Sequence, residues 1–196
     1  MEGKMDIPVI YFNKTGSQNT DLTLQAVRKR CLDLGIQEVV IASTHGNTGF
    51  KALEIFNGTS IQIIVVGISY SYRSEGWVMD PVIRQQLEDC GAKVLISHHA
   101  LGDDVNAGIS GQGIFHPNQI VAETLRRFSQ GMKVAVEITI MAAEAGLIGT
   151  DHEVISIGGT HQGADTAIVV KPSYARNFLD FEIREILAKP RSPKED

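Results

Sequence analysis

The sequence predicts an α/β domain on a mostly parallel sheet, and three observations lead there. Short β-branched runs alternate with segments of helical periodicity, the pattern of strands joined by crossover helices. The run at residues 61–66 is apolar enough to be covered on both faces, as parallel strands are. The final two strand-like runs, 154–157 and 166–170, are separated by eight residues. That length permits a hairpin and not a crossover helix, so this pair is expected to be antiparallel.

The elements follow in order. A first strand is expected at 9–12, then a helix from an Asn19/Thr20 cap to Leu34. Leu24, Val27, Cys31 and Leu34 lie at helical spacing there, and Gly35 is the stop. A strand at 39–42 leads into a helix at 48–56, ended by Asn57-Gly58. Asp80-Pro81 opens the next helix as cap and first helical residue, with Ile83, Leu87 and Cys90 inward and Gly91 closing it. A strand at 94–96 follows, then a helix from Pro117 to Gly131, a short strand at 134–136, and a buried helix at 138–145. Two long loops stand out: 67–79 carries Tyr70, Tyr72 and Trp77, and the Gly-rich 98–115 suits a lid.

A chain of 196 residues is expected to form one domain, 1–196, with its core at about 9–188 and a frayed tail at 189–196. A net charge of −5 argues against a nucleic-acid surface. No apolar run approaches the ~20 residues that span a bilayer, and the first residues contain no apolar signal core. The expectation is a cytoplasmic protein with Cys31 and Cys90 as reduced core thiols. A homo-oligomer is compatible with the sequence.

Residues 39–48 carry the strongest functional signal. A β-branched run stops, and Ser43, Thr44, His45, Gly46, Asn47 and Thr48 lead into a helix. The first amides of a helix lack intrahelical partners and sit at the positive end of its dipole, so an anion completes them. Gly46 is read as allowing close backbone approach, so Gly46→Val is expected to abolish binding and leave the fold intact. No Lys or Arg lies between Ser43 and Gly49, which excludes a Walker loop and suits one terminal phosphate without magnesium. The competing reading is a plain strand–helix turn with a hydroxyl cap.

The order of elements resembles the C-terminal α/β domain of pyruvate kinase. The likeness rests on residues 40–48, 61–66, and the closing pair Ile155-Ser156-Ile157-Gly158-Gly159 and Gly163-Ala164-Asp165-Thr166-Ala167. The chain is also similar, over about residues 9–190, to a family of stand-alone archaeal and bacterial proteins related to that domain. Tyr11-Phe12-Asn13-Lys14 and Val136-Glu137-Ile138-Thr139-Ile140 match its blocks. The resemblance implies a three-layer α/β/α fold of core order 3-2-1-4-5 with the fifth strand antiparallel. It also implies a ligand of the flavin mononucleotide (FMN) type and no settled activity. Pyruvate kinase keeps its chemistry on a separate barrel, so kinase activity is not expected here. If that order holds, 43–48 faces Gly158 and Gly159 across the sheet's reversal, where ligands of open α/β sheets bind. Residues 43–48 also resemble the flavodoxin phosphate loop, with His45 in place of an expected Thr.

Further candidates surround this centre. Tyr70, with Tyr72 and Trp77, is a candidate stacking surface for a planar ring, against a role in packing the loop. Asn13 offers a hydrogen bond to ligand or turn. Glu137, with Thr139 beyond it, is placed between strand and helix; its carboxylate is either functional, as ligand anchor or acid–base group, or satisfied by backbone amides. Asp165 and Thr166 are candidates either for the site or for the hairpin. The histidines lack metal-ligand spacing, so no metal is expected. The expected function is binding of a phosphorylated small molecule, FMN or a similar ester. The alternative is an enzyme, a flavin-dependent oxidoreductase or one acting on a phosphorylated metabolite, with Glu137 as acid–base group.

Overall fold

A computed structural model describes residues 6–102, 105–110 and 117–192. Seven strands form one sheet: β1 (Ile10–Phe12), β2 (Glu38–Ala42), β3 (Gln62–Gly67), β4 (Lys93–Ile96), β5 (Val154–Gly158), β6 (Thr166–Lys171) and β7 (Glu182–Pro190). Their spatial order is β1-β7-β6-β5-β2-β3-β4. The β5–β6 and β6–β7 pairs are antiparallel and all others parallel, so β6 alone runs against the rest. The expected five-strand order is therefore present from β4 to β6, with β2 as its first strand. β7 and β1 extend it beyond the reversed strand.

Helices cover both faces. On one side α1 (Thr20–Leu34), α2 (Asn47–Ile55) and α3 (Pro81–Asp89) bury Leu24, Val27, Ala52 and Leu87 against Val39, Ile41, Val65, Ile157 and Val169. On the other, α6 (Gln130–Glu144) buries Met132, Val136 and Ile140 against Val40, Ile64, Ile168 and Val170. Adjacent residues of β2 thus belong to opposite layers, as the two-residue period of a strand requires. Burying each such side chain contributes about 1.5–3 kcal/mol. The remaining helices are the short α4 (Val105–Ser110) and α5 (Pro117–Arg126).

Several expectations are corrected. Residues 134–136 form no strand; they lie inside α6, whose residues from Gly131 to Ala143 are buried except Val134. Gly131 does not end the preceding helix. Ser129 caps α6 by accepting Met132 N–H at 2.8 Å, and Gly131 follows in the first turn, where an added Cβ would lie 2.4 Å from Thr166 Oγ1. Asn19 stands at the N-cap of α1 as expected, but its side chain bonds no helix amide: its own amide donates to Lys14 carbonyl at 2.7 Å. Asp80 does cap α3, its Oδ1 accepting Val82 N–H at 2.7 Å. Cys90 follows α3 as its exposed terminal cap, whereas Cys31 is buried and its thiol is pushed up to about 12 by desolvation. The long loops contain structure: a 3-10 segment at Tyr70–Glu75, and α4 within the second. The tail starts later than expected, because β7 continues to Pro190 and Lys189 is buried. The expected lid glycines Gly111 and Gly113, and the final tail residues 193–196, lie outside the described residues. Among the described residues, no helix is long and apolar enough to cross a membrane.

Candidate functional site

At the carboxyl ends of β2 and β5, which pair in parallel from Val39–Ile155 to Ile41–Ile157, the connections leave in different directions. From β2 the chain turns through 43–48 into α2; from β5 it turns through 159–165 into β6. A cleft of about 1210 Å³ opens there. Ser43, Thr44, His45, Asn47 and Thr48 border it from one side, and Glu137 and Gly159 from others. This is the switch-point position where open α/β sheets bind ligands.

The first loop is anchored at its ends and open in its middle. Ser43 N–H donates to Val66 carbonyl at 3.0 Å, and Ser43 Oγ accepts Gly49 N–H at 3.3 Å. Phe50 N–H returns to Gly46 carbonyl at 3.0 Å, the first regular turn of α2. Among the described residues, the amides of 44–48 have no acceptor. Gly46, at the N-cap of α2 with φ 90°, has no side chain to cap it, and the Ser43 hydroxyl takes one first-turn amide, that of Gly49. Gly46 itself faces away from the cleft. A Cβ there would lie 2.4 Å from Ile83 Cγ2, so this glycine serves the packing of α2 against α3. Gly46→Val would therefore disturb the fold, contrary to the sequence expectation.

The second loop is closed upon itself. Asp165 Oδ2 accepts Gly16 N–H at 3.1 Å and Thr160 N–H at 3.2 Å, while Oδ1 accepts the Thr166 hydroxyl at 2.9 Å. Thr166 Oγ1 also lies 2.9 Å from Ser129 Oγ. Both residues are buried in these contacts and do not border the cleft. Gly158 lies against α6, where a Cβ would sit 2.3 Å from Gly131 carbonyl oxygen. His161 has φ 58°, the sole positive value at a non-glycine among the described residues, and Gln162 N–H donates to Thr160 carbonyl across it at 2.7 Å. This strained turn borders the cleft.

Three other candidates lie apart. Asn13 is exposed after β1, at the far side of the sheet. Thr139 donates to Ala135 carbonyl at 2.8 Å within α6. Tyr70 is exposed and does not border the cleft, whereas Tyr72 and Trp77 do; their rings stack at 6.4 Å and 20°, with His99 6.2 Å from Tyr72.

Glu137 is placed differently from the sequence expectation, at the middle of α6 and 1% exposed. Its Oε2 is paired with Lys133 one turn earlier, and its Oε1 accepts Leu101 N–H at 3.0 Å. Lys133, Lys51 and Arg126 also border the cleft, and sequence reasoning did not single them out. Glu137 is the one carboxylate among the described lining residues, and each lining cation is paired with a carboxylate. Lys51 pairs with Asp21 at 2.6 Å, and Arg126 donates to Gln130 at 2.9 Å and pairs with Glu123. Among the described residues, no group of three metal-ligating side chains is present.

The fold and cleft define an α/β protein with a crevice at the sheet's switch point. No family model matches the chain. Among solved structures it is similar to a pyruvate kinase from Cryptosporidium parvum at 14% identity and a TM-score of 0.40, covering 76% of this chain and 23% of that one. A Cryptosporidium parvum pyruvate kinase in complex with ADP is similar at 13% identity and a TM-score of 0.37, covering 87% of this chain and 23% of that one. The chain thus spans about a quarter of the length of these enzymes.

Proposed function

We propose that the protein binds a phosphorylated small molecule, FMN or a similar phosphate ester, in the cleft between residues 43–48 and 159–163. One observation carries this reading: the amides of 44–48 lack acceptors among the described residues, and Thr44, His45, Asn47 and Thr48 border a large cleft. Hydrogen bonds to a charged group contribute about 1.5–3 kcal/mol each. Three or four therefore supply much of the ~8 kcal/mol behind micromolar affinity, before ordering costs. The Tyr72–Trp77 pair on the cleft supports a ligand with a planar ring. Kinship with the stand-alone relatives of the pyruvate kinase C-terminal domain is part of this proposal, supported by the 3-2-1-4-5 strand order within the sheet.

Native purification followed by mass spectrometry of released small molecules tests the reading directly. FMN is expected, with yellow colour. Added ligand at a hundred times its Kd should stabilise the fold by about 2.7 kcal/mol, visible as a rise in Tm. Absence of any co-purifying ester, together with no thermal response to FMN, inorganic phosphate or sugar phosphates, would overturn it. A second reading, an enzyme using Glu137 as acid–base group, is favoured by the position of that carboxylate on the same cleft. Bleaching of bound flavin by a pyridine nucleotide would support it.

A further inference from the structure

We infer that Lys133 and Glu137 read the end of the ligand remote from its phosphate, selecting a heterocyclic edge with an acceptor and an N–H donor side by side. The inference rests on the phosphate reading above and deepens it. Both residues are deeply buried, at 7% and 1% exposure, on a helix whose other buried residues are nearly all apolar. Such a pair is poorly explained by stability, because apolar residues of similar volume usually serve as well or better. Its position on the cleft wall supplies another reason for it.

The remaining hydrogen-bonding capacity points to the ligand's chemistry. An ammonium has three donors, and a carboxylate about four acceptor sites. Among the described residues Lys133 Nζ has Glu137 as partner, and the carboxylate has Lys133 and Leu101 N–H. A cationic donor and an anionic acceptor therefore stand one helical turn apart beside the cleft, each with capacity left. A ring edge carrying a carbonyl or ring nitrogen next to an N–H complements both. A second phosphate is repelled by Glu137, and a bare hydrocarbon ring leaves both groups desolvated without new partners. Tyr72 and Trp77 offer faces, whereas this pair offers an edge, so ring stacking and edge recognition are separable.

Four probes separate them on the wild-type protein by calorimetry: FMN, UMP, ribose phosphate and naphthyl phosphate. FMN or UMP is expected to bind at least about tenfold more tightly than naphthyl phosphate, the worth of one charge-assisted hydrogen bond. The double variant Lys133→Met/Glu137→Leu removes both charges and both hydrogen-bonding groups together and should erase that advantage, while ribose phosphate affinity stays within about threefold. Naphthyl phosphate binding as tightly as FMN and UMP would overturn edge recognition and leave the phosphate site standing. Retention of the full advantage in the double variant would do the same. Failure of all four probes to bind would remove the phosphate reading along with this one.

Discussion

The two loops that meet at the sheet's reversal are built from similar residues and use them in opposite ways. In 159–165 the protein engages the aspartate: Asp165 holds Gly16, Thr160 and Thr166, and Gly159 and Gly163 allow close backbone contact, while the buried Thr160 hydroxyl is left without a partner among the described residues. In 43–48 the anchoring falls to Ser43 at one end and the α2 turn at the other, leaving the amides between them without acceptors among the described residues. A glycine, a threonine or an aspartate in a loop is thus no sign of a ligand. What matters is whether its hydrogen-bonding capacity is already satisfied.

The sharpest way to break this contrast is Asp165→Ala. It leaves the buried Thr160 amide, the half-buried Gly16 amide and a buried hydroxyl without their charged acceptor, and should destabilise the fold by about 3–5 kcal/mol; chemical denaturation measures it. A loss below 1 kcal/mol would mean that the second loop is not held as described. Next comes Gly158→Ala, whose Cβ meets Gly131 carbonyl oxygen at 2.3 Å. Overpacking should cost about 3 kcal/mol, lowering Tm by roughly 6–12 °C. Asn47→Asp probes the other loop. A carboxylate in the first turn of α2 suits the helix dipole, so Tm should hold or rise slightly, while like-charge repulsion weakens phosphate-ester binding by about tenfold or more. Unchanged affinity would detach the ligand from 43–48.

The smallest effect lies at the opposite end of the same two strands. His152 is bonded to Glu38 and Asp151 at 2.8 Å each, and Glu38 chiefly raises its pKa in the folded state. A raised folded pKa means stability fully present below the unfolded value of about 6.5 and lost as pH climbs through the folded one. The site is largely solvent-exposed, so His152→Gln should lower Tm by less than about 2 °C at pH 5.5. No difference is expected near pH 9, and a pH-independent difference would exclude the ion pair as the cause.

Parallel strands were legible because burial on both faces leaves continuous β-branched runs, as at Val39–Ile41 and Ile63–Val66. The same physics hid α6. A helix apolar nearly all round loses its periodicity, so residues 134–136 resembled a strand. β7 was missed because its outer half is exposed and carries Glu182, Arg184 and Glu185 among its apolar residues. The 43–48 loop was readable since its residues are contiguous. Lys133, Arg126 and His161 reach the cleft from elements far in sequence from 43–48, which no local pattern reports. Tyr70 and Tyr72 differ only through the twist of the 3-10 segment that carries them.

The pairing of β1 with β7 has a consequence for how the molecule is made. Ile10 and Phe12 find their partners at Ala188 and Pro190, and Arg191 N–H closes on Phe12 carbonyl at 2.9 Å. Contacts so distant along the chain close late in folding. During translation, β1 must wait without its neighbour until the five strands between the two, and β7 itself, have been made. That edge is where stalled or shortened polypeptides would expose pairing groups and adhere to one another.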